Sequence, residues 1–93
     1  MHVVICSIEL FLPGAVSLKD KRHSIKSITQ RIRARVNASA SETGFLDSWQ
    51  RSEIGVAMVS SDKVMLDRQI SIIRRIVDDC AEVETAKFLV EYV

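Results

Sequence analysis

Ninety-three residues, 47% of them apolar and 27% charged, amount to one small globular domain over 1–93 and leave no room for a second. A chain of this length buries roughly 65% of the surface its unfolded form exposes, which permits a modest core and argues against a deep catalytic cavity. Thirteen basic against twelve acidic side chains leave a net charge of +1 that names no partner, and the distant cysteines Cys6 and Cys80 have neither the density of a disulfide scaffold nor the spacing of a metal knuckle.

The chain opens with His2–Leu12, β-branched or apolar at most positions and closed by Pro13-Gly14, which reads as a largely buried central strand. Alternation puts Val4, Cys6, Ile8, Leu10 and Leu12 on a dry face and Val3, Ile5, Ser7, Glu9 and Phe11 on a mixed one. No basic leader precedes this run, and Ser7 and Glu9 interrupt it, so neither a signal peptide nor a membrane span is expected. Ser17, with Asp20 just after it, offers a helix N-cap and a carboxylate against the positive helix end. Leu18, Ile25, Ile28, Ile32 and Val36 follow at spacings of seven, three, four and four, one narrow apolar stripe of a helix. Val36–Glu42 is small and polar with weak alternation and reads as an edge strand, and Thr43–Ser48, containing Gly44, reads as a loop.

Trp49–Ser60 carries Ile54, Val56, Ala57, Met58 and Val59 around Gly55 and suits an inner strand with a close-packed or bulged position. Ser60-Ser61-Asp62 starts a second helix, whose stripe of Leu66, Ile70, Ile73 and Val77 ends near Cys80. Val83–Val93 is the last strand, with Ala86, Phe88, Val90 and Tyr92 as its inward row. Strand, helix, strand, strand, helix, strand is the split βαβ order. The expected fold is therefore α+β, a ferredoxin-like βαββαβ sandwich with a four-stranded antiparallel sheet and two helices on one face. The right-handed crossover rule puts the first and third strands at the centre and the second and fourth at the edges.

The charges are segregated. Between Ser17 and Val36 lie seven basic residues (Lys19, Lys21, Arg22, Lys26, Arg31, Arg33, Arg35) and the single acid Asp20, a local charge of +6 that leaves −5 for everything else. With the apolar stripe at zero on a helical wheel, Arg22, Arg33, Lys26 and Lys19 fall at roughly 60°, 80°, 100° and 120°, one basic flank, with Lys21, Arg31 and Arg35 on the other. Like charges at i, i+4, such as Arg22 with Lys26, oppose the helix by some tenths of a kcal/mol per pair. A polyanion relieves that repulsion, and arginine grips phosphate oxygens bidentately, so nucleic acid is the expected partner.

Other signals are weaker. Stacking of RNA bases on the open face of the sheet needs aromatic residues on the central strands, where the first strand offers only Phe11 and the third only Trp49 at its start. Trp49, at the start of the third strand, offers a ring for stacking on a base, but a tryptophan at a strand's beginning is more often a lid on the core, and Trp49 is read as one. His2 and His23 are expected on the surface, far from both cysteines, which excludes a Cys/His nucleophile or a zinc site. Gly14, Gly44 and Gly55 are isolated, so no phosphate loop exists, and the acids Asp78, Asp79, Glu82 and Glu84 near a helix end suit solubility or pairing better than acid/base chemistry. An enzyme is not expected, nor any cofactor or metal.

The stretch Leu12-Pro13-Gly14-Ala15-Val16-Ser17-Leu18-Lys19-Asp20-Lys21-Arg22, followed by Asn37, Glu42, Asp47, Trp49-Gln50-Arg51 and Gly55, resembles the YlxP-like family of small bacterial proteins of unknown function. Ser17–Arg22 is its most specific part and Trp49-Gln50-Arg51 the second. The resemblance implies the ferredoxin-like fold and, through neighbouring translation and transcription-factor genes, a tie to RNA or ribosome maturation, with no established reaction. The leading expectation is a non-catalytic, cytoplasmic RNA- or ribosome-associated module with Lys19, Lys21, Arg22, Lys26 and Arg33 on phosphates. The alternative is a homodimeric regulatory or scaffolding module joined through the open face or the last strand, since Val3, Ile5, Phe11, Leu89 and Val93 are apolar on the solvent-facing side.

Overall fold

β1 (His2–Phe11) alternates as its sequence requires: Val4, Cys6, Ile8 and Leu10 are buried, and Leu12 continues that row past the strand end. The computed structural model describes all 93 residues. On one side β1 pairs antiparallel with β3 (Arg51–Ser60), setting Val4, Cys6 and Ile8 opposite Met58, Val56 and Ile54. On the other it pairs antiparallel with β4 (Glu84–Tyr92), setting Cys6 and Ile8 opposite Val90 and Phe88. β2 (Ser39–Gly44) pairs with β3, so the sheet order is β2-β3-β1-β4, with the first and third strands central.

Helix α1 (Leu18–Arg35) starts where Ser17 Oγ accepts the Asp20 N–H at 3.1 Å; the Asp20 carboxylate in turn accepts the Val16 N–H. α2 (Lys63–Asp78) is capped by Asp62, whose carboxylate accepts the Val64 N–H at 2.9 Å. Ile25, Ile28 and Ile32 of α1 and Leu66, Ile70, Ile73 and Val77 of α2 enter one core with the inward rows of the sheet. The fold is the ferredoxin-like sandwich, and its other sheet face is open. No helix is long and apolar enough to cross a membrane.

Three details depart from the sequence reading, the first being that β3 begins at Arg51 and leaves Trp49 and Gln50 in the connection before it. β2 begins at Ser39, three residues later than expected, because Val36 ends the buried stripe of α1 and serves as its C-cap; the strand then runs through Thr43 and Gly44. A bulge in β4 places Lys87 opposite Glu9 but Thr85 opposite Leu10, so Ala86 is the extra residue and is exposed, while Phe88 and Val90 keep the inward row.

Candidate functional site

Arg22, Lys26, Thr29 and Arg33 stand at i, i+4, i+7 and i+11 on the flank of α1 that faces β2. Together with Ile25, Ala40, Ser41 and Glu42 they line a shallow groove of about 270 Å³. Arg22 and Arg33 are eleven positions apart, so the basic edge extends roughly 16 Å along the helix. Arg33 Nη1 donates to the Ala40 carbonyl at 2.6 Å, which fixes that end of the groove to the edge strand. The Lys26 carbonyl accepts the Thr29 hydroxyl at 3.1 Å.

Lys21 is placed elsewhere, and its expected role as a surface phosphate contact is corrected. Its side chain is fully buried, and its ammonium lies 2.7 Å from the Phe45 carbonyl, 3.3 Å from those of Leu46 and Arg51, and 3.0 Å from Glu42 Oε2. Ser52, itself buried, also donates to Glu42 Oε2, at 2.6 Å. This is the only ion pair in the chain. The carboxylate at the end of the groove is thus already neutralised, and Arg22, Lys26 and Arg33 face the groove with no acid paired to them. The signal was available in the spacing: Lys21, Ile25, Ile28 and Ile32 are themselves i, i+4, i+7 and i+11, so Lys21 belongs to the core stripe.

Lys19 is exposed but stands apart from the other three. It lines a separate depression of about 600 Å³ with Pro13, Gly14, Asp20, His23 and Glu82, between the β1–α1 connection and the α2–β4 turn. The same trough continues past Ser27 and Arg31 to Cys80. His23 and Cys80, distant in sequence, therefore line one hollow, which sequence reasoning missed. The Cys80 thiol donates to Glu82 Oε2 at 3.3 Å, and burial, then this bond, push its pKa up, so it is held as a thiol rather than a thiolate. The same bond, foremost, holds the Glu82 carboxyl below its ordinary range. Cys6 is buried in the core, and its thiol is likewise raised by burial. No group of three or more His, Cys, Asp or Glu side chains is arranged to hold a metal ion.

The lysine also organises the β2–β3 connection. Gln50 Nε2 donates to the carbonyls of Pro13 and Ala15, Leu12 N–H donates to the Gln50 carbonyl at 2.8 Å, and Arg51 N–H donates to Ser48 Oγ. Trp49 is 54% exposed, so it is not a lid on the core. The Leu12–Arg22 and Trp49–Arg51 stretches, far apart in the chain, meet in this one knot around Lys21. Comparison with known proteins bears on these segments. A family model described as a protein of unknown function, DUF503, matches residues 3–90.

The chain belongs to the DUF503 family.

It is 37% identical over 76 residues to the uncharacterized protein YlxP of Bacillus subtilis (strain 168), an alignment covering 82% of this chain and 83% of that one. A de novo designed protein with a ferredoxin fold, known from its solution NMR structure, superposes with a TM-score of 0.57 over 100% of this chain and 84% of its own, at 14% identity. The family relation and the fold are those the sequence pointed to.

Proposed function

We propose that this DUF503 protein is a non-catalytic, cytoplasmic RNA- or ribosome-associated module that holds a phosphate backbone in the groove between α1 and β2. Arg22, Lys26 and Arg33 contact phosphate oxygens, Lys19 adds positive potential at the first turn of the helix, and buried Lys21 shapes the end of the groove rather than touching the ligand. The observation that carries this reading is the row of three cations along one groove, without carboxylate partners, beside an acid already neutralised from within. Such contacts position a nucleic acid without reading its sequence. Replacing Arg22 and Lys26 by glutamate abolishes binding of a structured RNA in a low-salt mobility-shift assay while the circular dichroism spectrum is unchanged. Unaltered affinity overturns the proposal.

A second reading rests on the open face of the sheet, where Ile5 is 40% exposed and Val59 and Leu89 each 55%. Val3, Ile5, Val59 and Leu89 lie on adjacent strands there, and covering them with a second copy forms a homodimer. Sedimentation velocity tests it: a monomer at micromolar concentration contradicts the dimer, whereas a dimer is compatible with phosphate binding on the helix side.

A further inference from the structure

We infer that the connection between β2 and β3 is the base-contacting half of the same interface, with unpaired RNA bases stacking on the indole of Trp49. The inference rests on the phosphate reading above and names its substrate class: single-stranded RNA rather than duplex.

The connection is built inside out for a surface loop. Its backbone points inward and is held, with the Phe45, Leu46 and Arg51 carbonyls on Lys21, the Phe45 carbonyl also on the Ser48 N–H, and the Gln50 side chain bridging to the Pro13–Ala15 segment. Its apolar side chains point outward, with Leu46 56%, Trp49 54% and Phe45 36% exposed. Phe45 takes φ 57°, the left-handed region that a bulky side chain rarely adopts, and the Lys21 ammonium on its carbonyl holds it there. A surface connection free to relax buries such side chains. This one is pinned so that they stay in water, and rigid presentation of an aromatic ring is what base stacking requires.

Charge continuity selects RNA over an apolar protein surface. Lys21 ties the connection to the turn of α1 that carries Arg22, and Glu42, at the groove's end, lies three residues before Phe45. A strand leaving the groove past Arg22 therefore runs onto Phe45–Arg51. The Arg51 guanidinium sits 4.0 Å from the Phe45 ring centroid, so one face of that ring is occupied, whereas no cation lies over the Trp49 indole. Stacking accepts any base but requires it unpaired, so a duplex keeps only the phosphate contacts.

Trp49 is the single tryptophan of the chain and reports its own contacts. The wild-type protein is titrated at low salt with a fluorescein-labelled oligouridylate of about twelve nucleotides and with a blunt duplex of equal length. Label anisotropy measures binding, and an unlabelled pair of the same RNAs is used for indole emission. The single strand quenches Trp49 emission and the duplex does not. Trp49→Ala, at an exposed site, weakens single-strand binding about 5- to 150-fold, and Trp49→Phe restores most of it. Unchanged emission with the strand bound, or full affinity of Trp49→Ala, overturns the stacking and leaves the phosphate groove intact. Failure of the wild type to bind either RNA overturns both.

Discussion

Replacing Lys21 by methionine keeps the length and apolar stem of a fully buried side chain and removes only its ammonium. The ammonium holds three carbonyls and the Glu42 carboxylate, so the substitution leaves Glu42 with Ser52 alone and the Leu46 carbonyl without its donor. Breaking a buried ion pair by removing one partner costs about 3–5 kcal/mol, and the Phe45 backbone loses the anchor that keeps it at positive φ. Glu42 is partly solvated, which puts the expected loss near the lower end, about 3–4 kcal/mol, a large share of the roughly 5–15 kcal/mol that stabilises a domain. Urea unfolding followed by circular dichroism measures it, and Tm falls by about 15–25 °C. Lys21→Met combined with Glu42→Gln recovers roughly 1–2 kcal/mol of the single-variant loss, because no unpaired charge remains. A loss under about 1 kcal/mol for Lys21→Met, with no recovery in the double variant, refutes the buried-pair reasoning.

Other outcomes follow from particular contacts. Ile28→Ala, in the centre of the α1 stripe, costs about 2–5 kcal/mol in the same urea assay, and at a temperature where it is folded its RNA affinity matches the wild type. A Cβ at Gly55 falls 2.7 Å from Thr43 Cγ2, and Thr43 is fixed by its bond to Glu53; Gly55→Ala therefore destabilises by about 1 kcal/mol, and adding Thr43→Ala removes the penalty. The raised thiols of Cys80 and Cys6 stabilise the fold below the ordinary thiol pKa and lose that contribution as pH climbs through the folded values, so stability declines on the alkaline side; Cys80→Ala makes the decline shallower by its own share, and an unchanged decline contradicts the raised Cys80 thiol. Glu82→Ala removes the acceptor and the negative charge that favour the thiol, so Cys80 is alkylated faster by iodoacetamide at mildly alkaline pH; an unchanged rate refutes the assigned bond.

The sheet and helices were legible because alternation and helical stripes report burial directly: the dry row of β1 and the stripes of both helices are the core observed. Strand order followed from chain order and the handedness of the crossovers. The errors have local physical causes. A wheel drawn from the hydrophobic residues treats every lysine as a surface residue, and so it missed that Lys21 lies among Ile25, Ile28 and Ile32, where an inward carboxylate and three backbone carbonyls compensate its burial. The partner, Glu42, sits in a small-residue strand whose register cannot be read from Ala38-Ser39-Ala40-Ser41, since no apolar row fixes it. The β4 bulge shifts Ala86 outward for a different reason: alternation predicts parity only until an extra residue intervenes. Trp49 was misread because composition alone favours burying an indole, whereas the Lys21 and Gln50 bonds that hold it outward come from residues far away in sequence.

The helix groove is tested most directly by the salt dependence of RNA affinity in the wild type and in the Arg22→Glu, Lys26→Glu variant. Three phosphates held by Arg22, Lys26 and Arg33, with Lys19 adding positive potential nearby, give a slope of log affinity against log salt of about −2 for a single strand. The variant, left with Arg33 and the nearby Lys19, is too weak to measure or shows a slope no steeper than about −1. A wild-type slope close to zero, or an equal slope and affinity in the variant, contradicts phosphate binding in the groove.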